Sequence, residues 1–188
     1  MNHTVNLAKP AIMVDLETMS TQPNAAILSI GACFFDVYGE GALETFHKAI
    51  SLESNEKAGR AMSASTVLWW LSQSKDAQTA FLEAPKTNLK LALSEFRRWV
   101  DKLPVPPLTL WAKDPDFDVV ILRDACDTMN EVLPFKYHQN RSVRTAIELA
   151  YPDSEAPSFI RGTAHSALDD AIGQARLVQH CATRTLPL

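Results

Sequence analysis

The sequence predicts an α/β fold, a mixed five-stranded sheet flanked by helices. Its first third is rich in strand-forming residues, with a long apolar run over residues 27–37 and turn-forming residues directly after it. From about residue 63 the spacing of apolar residues becomes helical, and helical segments then alternate with a short strand. Antiparallel strands followed by alternating strands and helices are typical of a mixed sheet with helices packed against it.

The strands are predicted from apolar runs bounded by turn residues. Residues 11–15 form a short run that ends in a carboxylate, residues 27–37 form a longer one, and residues 43–50 supply the returning strand of a hairpin. A further strand is predicted over residues 108–112 (LTLWA), and residues 143–150 form a short passage from strand to helix.

The helices are predicted from apolar residues that recur at helical spacing. Ser65 or Thr66 is expected to cap a helix that carries Leu68, Trp69 and Leu71. Further helices are predicted over residues 89–100 and 116–129, and a final amphipathic helix over residues 164–183.

Length and composition predict one soluble domain, residues 1–188, in the cytoplasm. The three cysteines are far apart and lack zinc spacing, which indicates reduced thiols, and the N-terminus lacks the apolar core of a signal peptide. No apolar run approaches the roughly 20 residues of a membrane span. A net charge of −4 argues against a protein that coats nucleic acid through broad electrostatics. It does not exclude an enzyme that binds a short strand through metal ions.

Asp15 and Glu17 stand at the end of the first predicted strand. Because side chains alternate along a strand, both carboxylates point to one face and Leu16 points to the other. Two carboxylates on one edge repel each other unless a cation lies between them, and a divalent cation with a preference for oxygen is the usual partner. The simpler explanation of a DxE motif taken alone is a polar strand end that leads into a turn.

Asp118 lies near the start of the helix that follows the LTLWA strand. Helix capping explains Asp114 and Asp116 well, because the free backbone N–H groups and the helix dipole favour aspartate there. Capping explains Asp118 less well, because that residue follows Phe117 inside the first turn. Asp118 is therefore a third candidate acid.

His165 and Asp170 flank the start of the last predicted helix. The neighbouring Asp169 diverges from Asp170 by about 100° around the helix axis, so one of these acids can enter a site while the other faces solvent. When this segment is taken alone, a surface histidine near a helix start is the simpler explanation.

The three motifs in this order resemble the DEDDh exonucleases, the histidine-bearing branch of the DnaQ-like superfamily with a ribonuclease H-like fold. The resemblance covers about residues 12–175. It implies that Asp15 and Glu17 form the first motif, Asp118 the second, and His165 with Asp170 the third. Finer similarity to a phage and bacterial subgroup, which includes phage exodeoxyribonucleases and a mycobacterial exoribonuclease, lies in PNAAILSIGACFFD, STVLWWLSQS, LWAKDPDFDVVIL and RSVRTAIELA.

Two positions depart from the pattern of that subgroup. Lys113 and Asp114 stand where the subgroup tends to have glycine before the second motif, and Ser142 stands where it tends to have aspartate. Neither change touches an expected metal ligand, so both bear on substrate preference rather than on chemistry.

The resemblance implies a 3′→5′ exonuclease that releases nucleoside 5′-monophosphates from single-stranded RNA or DNA ends, with RNA favoured over DNA. Two divalent cations, Mg²⁺ or Mn²⁺, would activate water and stabilise the leaving oxygen. Their implied ligands are Asp15, Glu17, Asp118 and Asp170, and His165 is the implied general base. Many members of this branch are homodimers, which makes a homodimer possible here.

Four further residues are candidate substrate contacts: Thr18, Met19, Trp70 and Arg144. Adjacent helical positions diverge, so at most one of Trp69 and Trp70 faces the cleft. Trp70 is the one expected to stack on a terminal base, and the alternative is that both pack in the core. Met19 is expected to wedge a base, and Arg144 either contacts phosphate or pairs with a carboxylate.

Three other functions stay open: a nucleic-acid-binding domain without catalysis, a metal-dependent hydrolase of free nucleotides, and a proofreading subunit. All five motif positions are filled, which argues against the first. Activity on nucleoside phosphates alone would reveal the second, and nothing in the chain resembles a tail for docking a polymerase. The choice between RNA and DNA depends on contacts to the 2′-hydroxyl, which the sequence does not locate.

Overall fold

The computed structural model describes residues 7–159 and 166–185, and its centre is a six-stranded mixed sheet. The strands are β1 (Pro10–Thr18), β2 (Ile27–Asp36), β3 (Glu44–Ile50), β4 (Lys86–Thr87), β5 (Thr109–Ala112) and β6 (Asn140–Ser142). Their order across the sheet is β4-β3-β2-β1-β5-β6. The first three strands pair antiparallel, whereas β4, β5 and β6 each join their neighbours in parallel.

Seven α-helices occur in the described part of the chain. They are α1 (Leu52–Lys57), α2 (Ala64–Leu71), α3 (Lys75–Glu83), α4 (Leu89–Asp101), α5 (Asp118–Met129), α6 (Val143–Ala150) and α7 (Ala167–Thr185). None of these described helices is both long enough and apolar enough to span a membrane.

The predicted fold class is confirmed, and the sheet has one strand more than expected. Lys86–Thr87 adds a two-residue edge strand to β3, and Asn140–Ser142 forms the opposite edge just before α6. Both edges are short and polar, so neither shows the alternation by which strands are recognised. Residues 143–150 were predicted to pass from strand to helix, but they are helical throughout. The strand, β6, lies in the three residues before them.

The start of α2 also differs from the prediction. Ser63, rather than Ser65 or Thr66, is the N-cap, and its hydroxyl accepts a hydrogen bond from the Thr66 amide. The predicted first residue of the last helix, at position 164, lies outside the described residues; the described helix begins at Ala167.

Side chains of β1 alternate between the two faces of the sheet. Ile12, Val14 and Leu16 pack in the larger apolar core, together with residues of α4 and α5. Ala11 and Met13 pack on the other face, in the cluster that α7 covers. Continued alternation places the carboxylates of the strand end on the α7 side, while Leu16 is buried opposite them as expected.

Gly31 marks the point where α7 approaches the sheet. A Cβ atom at this position would overlap the backbone of Ala167 and Leu168, so only glycine fits. In the register of β1 with β2, Gly31 is the partner of Asp15. The last helix therefore begins beside the first acid of the DxE motif.

Candidate active site

Three carboxylates converge at the end of β1. Asp15, Glu17 and Asp170 each offer an oxygen atom, and these oxygens all lie within 4.8 Å of one another. The first two come from the strand end and the third from the first turn of α7. Oxygen atoms at such separations suit a single hard cation, because Mg²⁺, Mn²⁺ and Ca²⁺ prefer carboxylate ligands.

Asp118 borders this cluster from the first position of α5. Its side chain is buried, and Oδ1 accepts a hydrogen bond of 3.1 Å from the Leu16 amide, at the end of β1. The charge of Asp118 contributes to the raised pKa values of both Asp15 and Glu17. Asp118 thus approaches the site from another helix, although it is not among the three acids whose oxygens all lie within 4.8 Å of one another.

Burial and mutual repulsion strongly raise the pKa values of the clustered acids. Burial raises the pKa of Glu17 to about 9, with further contributions from the charges of Asp15, Asp170 and Asp118. Burial also raises the pKa of Asp15 well above its usual range, and the charge of Asp118 is the next cause. The pKa of Asp118 itself is raised to about 7 by burial, against the opposing hydrogen bond from the Leu16 amide. Charged acids this close are costly unless a cation compensates them.

These shifts predict how the stability of the metal-free protein depends on pH. The folded state has the higher pKa values at Asp15, Glu17 and Asp118, so it binds more protons than the unfolded chain above about pH 4. Stability is therefore present at low pH and lost as these acids ionise. In chelator, we expect the melting temperature to fall by roughly 5 to 10 °C between about pH 6 and about pH 9.

Differential scanning fluorimetry with EDTA, and then with Mg²⁺ or Mn²⁺, measures this effect. The cation should raise the melting temperature more at about pH 8 than at about pH 6, because it competes with protons for the same oxygens. A melting temperature in chelator that climbs across this range would contradict a buried acidic cluster.

Gln174 is a member of the site that the sequence prediction did not include. Its side-chain Nε2 donates a 2.7 Å hydrogen bond to Oδ1 of Asp15, and the residue is buried. Gln174 lies one helical turn after Asp170, so both side chains leave the same face of α7. Its Oε1 is buried and has no hydrogen-bond partner among the described residues. The four-residue spacing after Asp170 was the available signal, but glutamine is an ordinary helix residue.

The two adjacent aspartates of α7 face different surroundings. Asp170 joins the carboxylate cluster. Asp169 instead lies near His47 of β3, where its charge opposes the burial that lowers the pKa of that imidazole. The divergence expected of helical neighbours is therefore present. His165, the expected general base, lies outside the described residues.

A cavity of about 400 Å³ adjoins the carboxylates. Glu17, Thr18, Trp69, Trp70 and Phe117 are among its lining residues. Trp69 is 43% exposed, whereas Trp70 is only 7% exposed and donates its indole N–H to the Thr18 carbonyl oxygen at 3.0 Å. The structure therefore favours Trp69 over the predicted Trp70 as the ring available for stacking.

The other residues expected to contact substrate instead interact with residues of the protein itself. Met19 is buried and packs against Trp70, so this geometry gives no support to a base wedge at Met19. The Thr18 hydroxyl is also buried and donates to the Ser20 carbonyl oxygen at 2.8 Å. Arg144 pairs with Asp114, Nε lying 2.7 and 2.8 Å from the two carboxylate oxygens. The carboxylate alternative for Arg144 is therefore the one observed.

A larger groove of about 810 Å³ lies between the β5–β6 edge and helices α6 and α7. Trp111, Tyr137, Ser142 and Leu149 are among the residues that line it, and none of the three clustered carboxylates does. We place the candidate site at the smaller cavity because Glu17 of the carboxylate cluster lines it, whereas none of the three clustered acids lines the larger groove.

Solved structures of similar fold include exonucleases. The nuclease domain of 3′hExo, described as a DEDDh family member bound to rAMP, matches with a TM-score of 0.67 and 12% identity, covering 95% of each chain. Exonuclease I of E. coli, in complex with an oligonucleotide, matches with a TM-score of 0.63 and 14% identity. That match covers 94% of this chain and 41% of exonuclease I, and a match to the cell-death related nuclease CRN-4 covers 64% of that protein.

The sheet and the position of its acidic end match the fold of these nucleases, and the family match confirms the exonuclease resemblance seen in the sequence. The chain belongs to the Rv2179c-like 3′–5′ exoribonuclease domain family, whose model matches residues 10–182. It is a 3′–5′ exonuclease, a phosphodiester hydrolase. A curated relative, an exodeoxyribonuclease of Enterobacteria phage T4, is 24% identical over 189 residues, which cover 84% of this chain and 82% of the relative.

Proposed function

We propose that this protein shortens single-stranded RNA from its 3′ end and releases nucleoside 5′-monophosphates. The observation that supports this most strongly is the convergence of Asp15, Glu17 and Asp170, whose oxygens lie within 4.8 Å of one another beside an open cavity. The exoribonuclease description of the family favours RNA. We also propose that residues 1–188 act as a single exonuclease domain, and a homodimer stays a prediction that light scattering would check.

The donor set fits divalent cations, because every candidate ligand is a carboxylate oxygen. The proposed cofactors are two ions, Mg²⁺ or Mn²⁺, as a two-metal hydrolysis requires. Asp15, Glu17 and Asp170 would hold them directly, and Asp118 would complete the acidic wall from α5. Bound there, the cations would supply a Lewis acid for the phosphate and a more acidic attacking water. The protein holds the acids in place through the Gln174 amide and the Leu16 backbone.

His165 is the proposed general base that takes the proton of the attacking water. We expect His165→Ala to lower turnover by about a hundredfold to ten-thousandfold, the usual contribution of general base catalysis. Cation binding should persist, because the carboxylates are unchanged. Single-turnover kinetics and calorimetric titration with Mn²⁺ measure the two effects. Parental turnover in this variant would remove His165 from the mechanism, and His180→Ala, on the far part of α7, is the matched control.

Trp69 is proposed to stack on the terminal base in the cavity. We expect Trp69→Ala to raise KM by about tenfold, since stacking on an aromatic ring contributes about 1–3 kcal/mol per base. The melting temperature should change little, because Trp69 is half-exposed. Trp69→Phe should restore most of the affinity, and Leu68→Ala, on the same helix and 66% exposed, is the control. An unchanged KM in Trp69→Ala would place the base elsewhere.

The function is tested with 5′-labelled RNA and DNA oligomers, single-stranded and with overhangs, in Mn²⁺ and in chelator. The expected result is a metal-dependent ladder that shortens from the 3′ end, faster on RNA. A faster ladder on DNA would support the second candidate, exodeoxyribonuclease activity, which the phage T4 relative favours. Hydrolysis of nucleoside phosphates with no oligomer shortening would refute the proposal.

A further inference from the structure

Lys113 follows β5 at the end of the sheet where the acids gather. β5 runs parallel to β1, and their register pairs Met13 with Trp111. Asp15 and Lys113 each follow this pair by two residues, Asp15 within β1 and Lys113 in the bend directly after β5. Met13 and Trp111 pack in one cluster on the α7 side of the sheet, and the register of the two strands brings Lys113 beside Asp15 at the same end of the sheet.

The charges around Lys113 agree with this position. Its ammonium is near enough to Asp15 to oppose the rise in the pKa of that carboxyl. Lys113 is exposed and forms no ion pair with any residue in the described ranges. The next residue, Asp114, is instead neutralised by Arg144. A positive charge is therefore available to solvent beside the acidic cluster.

A positive charge at this position would attract the phosphates of a nucleic acid strand. The protein carries a net charge of −4, so its overall field repels a polyanion. Lysine binds phosphate as a compact point charge on a flexible stem.

We propose that Lys113 binds a backbone phosphate of the substrate next to the cleaved bond. Lys113 does not line the cavity assigned to the terminal nucleotide, so the phosphate it binds lies outside that cavity, on the remainder of the strand. This inference rests on the proposed exonuclease function and adds one substrate contact to it.

Steady-state kinetics on a single-stranded oligonucleotide, repeated over a range of salt concentrations, test the proposal. Lys113→Ala should raise KM about tenfold with little change in kcat, because one charge-assisted contact is lost. The slope of log(kcat/KM) against log[salt] should become shallower by about 0.7, the value for one phosphate contact on a single strand. Lys113→Arg should keep both parameters. Lys90 is an exposed residue of α4, on the opposite face of the sheet. Lys90→Ala removes the same charge and should behave as the parent.

The alternative role for Lys113 is to neutralise Asp15. In that case Lys113→Ala would shift the cation concentration needed for activity and the melting temperature in chelator, while KM and the salt slope stayed parental. That result would overturn the phosphate contact and leave the exonuclease function intact. A parent protein that shortens no oligonucleotide would overturn both.

Discussion

Replacing Asp15 with asparagine should leave a folded protein that has lost at least about a thousandfold in exonuclease turnover. Asp15 is one of the three acids whose oxygens converge, and its Oδ1 accepts a hydrogen bond from the Gln174 amide. Asparagine keeps the size of the side chain but removes the charge that a cation requires. The bound cations would stabilise the transition state by several kcal/mol, and losing that stabilisation corresponds to a rate loss of this size.

The same substitution should raise the melting temperature in chelator. Asp15 lies among Glu17, Asp118 and Asp170, and removing its charge relieves repulsion that the buried cluster otherwise contains. An inactive protein that is more stable without metal distinguishes loss of a ligand from loss of the fold. Asp169→Asn is the matched control, because it removes an acid one residue from Asp170 that is outside the cluster. Parental degradation of labelled oligonucleotide by Asp15→Asn would exclude this cluster as the catalytic site.

Replacing Gly31 with alanine should displace α7 and disable the enzyme. The added methyl group would overlap the backbone of Ala167 and Leu168, and backbone has no rotamer by which to move away. Overpacking of this kind costs about 1–3 kcal/mol or more. Because Asp170 lies on the first turn of α7, a displacement of about 1 Å should also lower turnover by about a hundredfold.

Thermal unfolding and oligonucleotide degradation measure these two effects of Gly31→Ala. Gly39→Ala is the matched control, since its nearest contacts would be the Asp36 Cβ at 3.0 Å and the Asp36 carbonyl oxygen at 3.5 Å, with no overlap of another element's backbone. If Gly31→Ala melts at the parental temperature and keeps its rate, the last helix does not contact β2 at this residue.

The parts of the site predicted from sequence are those set by local periodicity. The alternation of a strand is enough to place Asp15 and Glu17 on one face with Leu16 on the other, and the structure buries Leu16 accordingly. The turn of a helix is enough to separate Asp169 from Asp170. Asp118 was singled out because helix capping explains it poorly. In the structure its carboxylate accepts a hydrogen bond from the Leu16 amide at the end of β1.

The parts that were missed depend on contacts between distant segments. The edge strands β4 and β6 contain two and three mostly polar residues, so their sequences carry no alternation. The orientation of Trp69 and Trp70 depends on where α2 begins and on what covers it, because apolar residues occur all around this helix. Gln174 becomes recognisable only when α7 is placed against Asp15.

The residues that meet at the end of the sheet are far apart in the sequence. Asp15 is synthesised early, whereas Asp170 and Gln174 belong to the last helix. A chain emerging from the ribosome with α6 complete holds three of the acids, yet it lacks both the fourth acid and the amide that orients the first. The acidic cluster therefore cannot assemble until the ribosome has passed the codons of α7.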